Sequence, residues 1–339
     1  MGVQITELLE RKPMAMKDLK GKVIAIDAYN QLYQFLSSIR QQDGRPLSDS
    51  KGNTTSHLVG LFSRTTKMME EGLKPSFVFD GPPPKLKSEE RKRRRDLKAE
   101  AEKKYEAAVT DEDIESMRKY AARTSRLTKD LVDEARQLIR ALGLPAIDAP
   151  CEGEAQAAEL VKEGEAFALV SQDADGLLFG SPRLVRNLSV QPRKKLPGKM
   201  SYTQLMPELI DLEATLKSLG MSREQLIALA MLVGTDYNMG GVKGIGPKKA
   251  MVLVKKHGND FNALFKETAI EGWEDIFGLF TNMEVKRGIR LEWEQPDEEA
   301  VMKMLVDGHE FNPDRVRHNL SNLMKAKEQQ QQKGLGDYF

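Results

Sequence analysis

The chain has 339 residues, 40% of them hydrophobic and 30% charged, which is enough apolar material for a substantial buried core. Its 52 Lys and Arg residues nearly balance its 51 Asp and Glu residues, so the net charge of +1 gives no sign of a polyanionic partner. The single cysteine, Cys151, excludes an intrachain disulfide, and the four histidines do not combine with it at the spacing of a zinc site.

Three short apolar segments predict buried β-strands. They are KVIAID (22–27), SFVFD (76–80) and FALVSQD (167–173), each rich in β-branched or aromatic residues and each ending on aspartate. Apolar residues at helical spacing predict helices between them, most clearly over 131–143 and 154–164. This alternation predicts an α/β fold with a mostly parallel, twisted central sheet flanked by helices, in which ligands bind at the carboxyl ends of the strands.

Three further segments depart from this alternation. Residues 85–129 are polar and have too few apolar side chains for the core, so we interpret them as an inserted arm. Residues 226–260 have the pattern of a helix, a glycine-rich loop and a second helix. After the run EQQQQ the chain ends in KGLGDYF, which predicts a tail that is disordered in isolation. We therefore expect one domain over 1–325 and a flexible tail over 326–339.

Acidic residues follow all three predicted strands and adjoin two helical patterns. Asp173 and Asp175 lie two residues apart, and in an extended chain both would point to one face. Glu152 and Glu154 begin a helix, so Gly153 must allow Glu152 to lie outside that helix if both are to reach one site. The complete set is Asp27, Asp80, Glu152, Glu154, Asp173, Asp175 and Asp236.

Seven carboxylates at one sheet edge would repel each other unless cations neutralised them, and oxygen ligands are those that Mg²⁺ prefers. Two Mg²⁺ ions about 4 Å apart ionise a water, hold a phosphodiester and stabilise the leaving oxygen. The set therefore predicts a two-metal site for phosphodiester hydrolysis. For any single acid, the simpler alternative is helix capping, and Asp27 fits an N-cap as well as a ligand.

A basic run follows the second predicted strand. Residues 85–98 carry eight Lys and Arg side chains against three acidic ones. Lys87 and Arg94 are seven residues apart, two turns of a helix, so they would share a face and reach a phosphate at the metal site. A solvated helix or a nuclear-localisation patch is the alternative for this run. If the arm binds DNA, its affinity should depend strongly on salt.

The glycine-rich sequence GGVKGIGPKKA (240–250) predicts a phosphate-binding turn between two helices. Small residues let a DNA phosphate approach backbone N–H groups, and the neighbouring lysines add positive charge. A nucleotide-binding phosphate loop does not fit, because Pro247 stands where that motif requires lysine. A purely structural helix-turn-helix remains an alternative. The DNA-binding residues predicted here are Lys243, Gly244, Gly246, Lys248 and Lys249.

The blocks VIAIDAYNQLYQFL, FVFDG, KLKSEERKRRR, EGEAQAA, SQDADGLLFGSP, LVGTDYN and GVKGIGPKKA resemble, in order and spacing, those of flap endonucleases, nearest the archaeal type. The resemblance covers nearly the whole chain, and the metal-site acids of the family fall on all seven acids named above. It implies that Lys87 and Arg94 contact the scissile phosphate and that Tyr33 stacks on a nearby base. The arm at 85–129 would be the helical arch over a 5′ single strand.

The same resemblance implies cofactors, an activity and a division of the chain. Two Mg²⁺ ions, replaceable by Mn²⁺, would serve cleavage of 5′-flap DNA at the junction of single strand and duplex. A 5′-3′ exonuclease activity and roles in Okazaki fragment maturation and repair would accompany it. A helix-hairpin-helix element at the glycine turn would grip the downstream duplex with a bound K⁺. The domain over 1–325 would comprise an N-terminal nuclease region (about 1–98), the arch and an internal nuclease region (about 130–260).

The last residues resemble the motif that binds the sliding clamp, proliferating cell nuclear antigen. Exposed apolar side chains on a glutamine-rich tail have no folding rationale, and a partner pocket supplies one. We further expect a monomer in the cytoplasm or nucleoid, not secreted, with no membrane association. The clamp-binding residues would be Gln332, Leu335, Tyr338 and Phe339.

Two other functions remain open on the sequence. A related nuclease could keep the same metal site and prefer bubbles or four-way junctions, although an arm of about 45 residues is modest for such relatives. A clamp-tethered binder of branched DNA could instead retain the acids only for folding. Cleavage of labelled flap, bubble, four-way and linear DNA in Mg²⁺ would distinguish these functions.

Overall fold

A seven-stranded sheet forms the centre of the fold in the computed structural model, which describes residues 3–110, 126–188, 193–195, 202–204 and 206–336. Its strand order is β1-β9-β6-β5-β2-β3-β4, and β7 and β8 form a separate antiparallel pair. The strands are β1 (Arg11–Pro13), β2 (Val23–Asp27), β3 (Lys74–Phe79), β4 (Ala146–Asp148), β5 (Ala168–Val170), β6 (Arg183–Arg186), β7 (Arg193–Lys195), β8 (Tyr202–Gln204) and β9 (Glu208–Asp211).

The strands from β6 across to β4 are parallel, whereas β9 pairs antiparallel with β6 and with β1. The carboxyl ends of β2, β3 and β5 therefore meet at one edge of the sheet. The predicted mostly parallel α/β fold is confirmed. Long connections between parallel strands leave room for helices on both faces.

Helices flank the sheet and extend beyond it. Several begin at capping side chains, such as Ser222, which forms a reciprocal capping box with Gln225. The helices are α1 (Ala28–Ser38), α2 (Ser56–Glu70), α3 (Ser88–Thr110), α4 (Lys129–Ala141), α5 (Gly153–Lys162), α6 (Asp175–Leu178), α7 (Leu212–Leu219), α8 (Arg223–Val233), α9 (Pro247–His257), α10 (Phe261–Glu267), α11 (Trp273–Asn282), α12 (Glu298–Met302) and α13 (Pro313–Gly336), with a π-helical segment over Lys303–Gly308. Within the described residues, no helix has the length and apolar character needed to cross a membrane.

Two hydrophobic cores cover the two faces of the sheet. In β2, Ala25 joins the core formed with α5 and α8, whereas Ile24 and Ile26 join the core formed with α1, α2 and α4. Side chains alternate between faces along a strand, and both faces here are buried. Burial on both faces explains why the strands are continuous apolar runs. The same burial holds in place the end of the sheet that carries the acidic residues.

The boundaries of the predicted elements differ in one important place. The expected strands at 22–27 and 76–80 and helices at 131–143 and 154–164 are present within about two residues. The expected strand at 167–173 is wrong in extent, because β5 ends at Val170 and the chain then turns into α6. Strands β1, β4, β6 and β9 have only three or four residues and were not predicted.

The arm and the tail also differ in detail from expectation. Lys87 lies in a 3-10 turn (Lys85–Lys87) and α3 begins only at Ser88, so Lys87 and Arg94 do not share one regular helix as predicted. The side chain of Arg94 and residues 111–125 lie outside the described part of the chain. The tail was expected to be flexible from 326, but the backbone is helical as far as Gly336.

Close packing between α1 and α2 depends on Gly60. A Cβ atom at this position would lie 2.8 Å from Ile39 Cδ1 and closer still to the ring of Phe35. We predict that Gly60→Ala lowers the free energy of unfolding by about 1–3 kcal/mol, measured by chemical denaturation. Gly278 is the matched control, because it also lies within a helix but has open space around it. Gly278→Ala should raise the free energy of unfolding by about 0.5–1 kcal/mol. Equal stability of the two variants would contradict this packing.

Candidate active site

Two of the predicted metal ligands stand at the carboxyl ends of neighbouring strands. Asp27 is the last residue of β2, and its Oδ1 accepts a hydrogen bond from Asn30 N at 3.0 Å. It therefore caps α1, as the simpler interpretation of this residue proposed. Capping uses one carboxylate oxygen and leaves the second available to a cation. Asp80 directly follows β3, the strand that pairs with β2.

A close contact between Gly153 and Asp80 brings α5 to the same edge. Gly153 N donates a hydrogen bond to Asp80 Oδ1 at 2.8 Å, and a Cβ atom on Gly153 would lie 2.6 Å from that oxygen. Glu152 has extended backbone geometry and is the N-cap residue of α5. The expectation that Glu152 lies outside the helix beside Glu154 is confirmed. Only glycine allows the carboxylate of Asp80 this close to the helix start.

The remaining acids enter from turns. Asp173 lies in the bend after β5 and Asp175 is the first residue of α6, so the prediction that both acids lie in an extended chain is wrong. Their side chains nevertheless interact, since burial raises the pKa of Asp175 and the nearby charge of Asp173 raises it further. Glu154 accepts a hydrogen bond from Ser171 Oγ at 2.6 Å. Asp236 lies in the loop after α8.

The seven carboxylates form one electrostatic unit, which we call the acidic cluster. Burial raises the pKa of Asp80 to about 6, with Glu152 adding to the effect, and raises the pKa of Asp175 to about 7, with Asp173 adding. Burial also raises the pKa of Asp27 and of Glu154 well above their usual values, and neighbouring carboxylates reinforce both shifts. Four carboxylates that resist ionisation in this way would be stabilised by a bound cation.

Lys87 lies within reach of the acidic cluster. Its Nζ is 2.6 Å from Glu152 Oε2 and 3.6 Å from Asp236 Oδ2. Burial lowers the pKa of Lys87, but the carboxylate of Glu152 more than offsets this, so the pKa lies above its usual value. The ammonium also lies 6.0 Å from the ring centroid of Tyr237, a residue that the sequence analysis did not single out. The only sequence feature that could have indicated Tyr237 was its position directly after Asp236.

The donor set fits a hard divalent ion, although its side chains do not form a ready-made cage. Among the described residues, no three His, Cys, Asp or Glu side chains are arranged as a metal-binding group. Each acid is instead near a donor of the protein: Val3 N lies 2.7 Å from Asp175 Oδ1, and Asn30 Nδ2 lies 2.9 Å from Asp173 Oδ2. All seven ligands would be oxygen atoms, the type that Mg²⁺ and similar ions bind.

A cavity of about 890 Å³ lies between the acidic cluster and the start of the arm. Asp80 and Lys87 line one side, and Tyr33 and Lys98 line another. Tyr33 is 39% exposed, and Lys98 Nζ lies 4.9 Å from the centroid of its ring. An exposed aromatic face beside basic groups is a suitable surface for a nucleobase and its phosphate.

The predicted DNA-binding residues of the glycine turn do not line this cavity. The glycine turn joins α8 to α9, and Gly244 adopts a positive φ of +81° with open space around it. Lys243, Lys248 and Lys249 are exposed, and Lys249 Nζ donates to Gly244 O at 3.1 Å. For the tail, the backbone of Gln332 and Leu335 belongs to α13, while Tyr338 and Phe339 lie outside the described residues.

Comparison with known proteins supplies the family. The family model of the XPG N-terminal domain matches residues 1–101, and that of the XPG I-region matches residues 143–236. Flap endonuclease 1 of Thermococcus onnurineus is 48% identical over 339 residues, covering 100% of this chain and 99% of that protein. The chain belongs to the flap endonuclease family. It is a hydrolase, a structure-specific nuclease of a family that depends on divalent metal ions and serves DNA replication and repair.

Solved structures agree with this assignment. Flap endonuclease-1 from Methanococcus jannaschii matches with a TM-score of 0.78 and 42% identity, covering 97% of this chain and 100% of that one. The catalytic core of Rad2 in complex with DNA substrate matches with a TM-score of 0.65 and 26% identity, covering 94% and 97% respectively. The flap endonuclease fold therefore extends over nearly the whole chain.

Neutralising one member of the acidic cluster should stabilise the metal-free protein. Asp175 has an ordinary pKa of 3.8 and a folded-state pKa of about 7, so the folded protein holds a proton that the unfolded chain has lost between these values. Stability is then lost as pH rises from about 4 to about 7. We predict that in chelator the free energy of unfolding of Asp175→Asn is about 1–4 kcal/mol higher than that of the wild type at pH 8. At pH 4 the two proteins should differ little. Equal destabilisation at both pH values would contradict the repulsion.

Proposed function

We propose that this flap endonuclease cuts the phosphodiester at the junction of a single-stranded 5′ flap and duplex, using two Mg²⁺ ions held by the acidic cluster. Mn²⁺ would replace Mg²⁺. The observation that carries the proposal is the convergence of seven carboxylates, four with pKa values raised by burial and mutual repulsion, beside a cavity lined by aromatic and basic side chains. Such a site suits two-metal hydrolysis.

The residues around the cluster would divide the work. Bound Mg²⁺ would supply an ionised water and stabilise the leaving oxygen. Lys87, now paired with Glu152, would turn its ammonium toward the scissile phosphate and offset negative charge that develops there, and Arg94 would act with it. Tyr33 would stack on an unpaired base. Lys98, whose ammonium lies over the Tyr33 ring, would then move aside or contact the adjacent phosphate. Unpairing at the junction costs a few kcal/mol, so already frayed ends are favoured.

Branched DNA would be held at two places. The arm would cover the 5′ single strand, and the glycine turn with its exposed lysines would contact a phosphate of the downstream duplex. The similar catalytic core of Rad2 was solved in complex with DNA substrate, which supports DNA binding by this fold. A K⁺ ion at the turn would help to hold the duplex. A 5′-3′ exonuclease activity follows if a recessed 5′ end enters the same site.

The tail would tether the enzyme to its site of action. Gln332, Leu335, Tyr338 and Phe339 would insert into a pocket of the sliding clamp, and the enzyme would act as a monomer in the cytoplasm or nucleoid. A preference for bubbles or four-way junctions has less support, since the full-length relative described above is named a flap endonuclease.

A comparison of substrates tests the function. Wild-type protein should cut labelled 5′-flap DNA in Mg²⁺ at the junction, faster than bubble, four-way or linear DNA, and not in chelator. Asp175→Asn should lose at least about a thousandfold in rate while binding flap DNA within about twofold, since a metal ligand is removed but the DNA surface is kept. Tight binding without any cleavage by the wild type would favour the non-catalytic binder, and a bubble preference would favour the related nucleases.

The tail makes a separable prediction. Deleting 335–339 should leave flap cleavage unchanged and remove stimulation by the sliding clamp, because the paired aromatic residues would anchor the contact. The control, in which Gln329 and Gln330 are replaced by alanine, alters the same tail outside the motif and should keep the stimulation. Clamp stimulation that survives the deletion would show that the tail is not the tether.

A further inference from the structure

A segment without regular secondary structure, residues 283–297, connects α11 to α12, and we call it the strap. It crosses from one hydrophobic core to the other. Val285, Ile289 and Leu291 pack against the core that contains α5 and α8, and Trp293 packs against the opposite core. The strap is itself neither helix nor strand, so its backbone groups must be satisfied by other parts of the chain.

The first half of the strap runs along α5, the helix that has Glu152 as its N-cap and Glu154 in its first turn. Gln156 is fully buried there, and its Nε2 donates to Lys286 O at 2.7 Å while its Oε1 accepts from Lys286 N at 2.7 Å. The side-chain amide thus pairs with the backbone of one residue in both directions. This reciprocity fixes the amide orientation and restricts both sliding and rotation of the helix.

Two weaker contacts continue the same line along α5. Arg287 Nε lies 2.9 Å from Glu159 Oε1, but the arginine side chain is 76% exposed. Gly288 N donates to Glu163 at 3.1 Å. These ion-pair and surface contacts contribute little compared with a buried amide whose loss leaves two backbone groups unsatisfied.

The second half of the strap is anchored to other elements. Trp293 Nε1 donates to Pro75 O at 2.9 Å at the beginning of β3, and Glu294 N donates to Gly143 O at 2.9 Å after α4. The strap is therefore fixed to the sheet independently of α5. It can hold α5 in place relative to the strand that precedes Asp80.

We propose that Gln156 is a positioning residue of the metal site: its paired amide fixes α5, and with it Glu152 and Glu154, relative to the acids at the strand ends. The inference rests on the proposed metal-dependent function. Metal sites of this kind require their ligands within about 0.5 Å. The polar contacts at the start of α5 are made by the acids themselves or by Gly153, whereas the fully buried amide of Gln156 attaches the helix to the strap. Gln156 is fully buried and its amide pairs with Lys286, so it would act through the position of α5.

The test replaces Gln156 with methionine, which keeps the length of the side chain and removes both the donor and the acceptor of its amide. Mn²⁺ binding without DNA, followed by electron paramagnetic resonance, should weaken about tenfold. The single-turnover cleavage rate at low Mg²⁺ should fall by a similar factor and recover as Mg²⁺ is raised. Binding of flap DNA in Ca²⁺ should be unchanged, and amide hydrogen exchange in α5 should become faster.

The control for stability is Trp293→Phe, which removes the indole donor to Pro75 O but keeps the Glu294 N–Gly143 O bond that also anchors the strap, and leaves Gln156 paired with Lys286. It should lower thermal stability and leave Mn²⁺ binding at the wild-type level. The proposal is overturned if Gln156→Met binds Mn²⁺ as wild type does, or if Trp293→Phe weakens Mn²⁺ binding equally, which would indicate a general loss of stability.

Two provisions keep the test decisive. If Gln156→Met does not fold, Gln156→Glu keeps the size and the acceptor for Lys286 N, and it should show a smaller loss of Mn²⁺ affinity, with wild-type affinity again overturning the proposal. If wild-type protein does not cut flap DNA, the proposed function fails. The Mn²⁺ titration still decides the role of Gln156 in that case.

Discussion

Repulsion among buried carboxylates is the constraint on which the architecture of this flap endonuclease depends. Burial and mutual repulsion together keep the pKa values of Asp27, Asp80, Glu154 and Asp175 above their usual range. Without a cation, such an arrangement opposes folding at neutral pH, so the rest of the chain must hold the acids in place. A bound divalent ion converts the same repulsion into affinity, and this is the usual compromise between stability and activity in a metal nuclease.

The fold meets this constraint with rigid elements and with donors from distant parts of the chain. Three parallel strands that are buried on both faces deliver acids to one edge, and the start of α5 adds two more. Val3 N and Ser171 each donate to one of the carboxylates, and Asn30 donates to two, Asp27 and Asp173. Removing the N-terminal segment would therefore affect Asp175 directly, although that segment is far from it in sequence.

Much of this site could be predicted from sequence, because each signal was local. Asp27 and Asp80 follow strong apolar strands, and the glycine between Glu152 and Glu154 indicated the break at the helix start. The order of blocks then identified the family. Local patterns also explain the error at Asp173 and Asp175, since three apolar residues cannot show where a short buried strand ends and a turn begins.

What could not be predicted depends on contacts between segments far apart in sequence. The pairing of Lys87 with Glu152 spans the arm and α5, and that of Gln156 with Lys286 joins a helix to a segment without any periodic pattern. Neither of these contacts can be detected from residue spacing or composition. The strands of three or four residues are likewise defined by their neighbours in the sheet rather than by their own propensity.

Locating bound metal would show whether the acidic cluster holds two divalent ions. Crystals soaked in Mn²⁺ and measured at the manganese absorption edge should show two anomalous peaks about 4 Å apart, each within coordination distance of carboxylates of the acidic cluster. Peaks only at other surfaces, or no peak at this sheet edge in an otherwise unchanged structure, would contradict it.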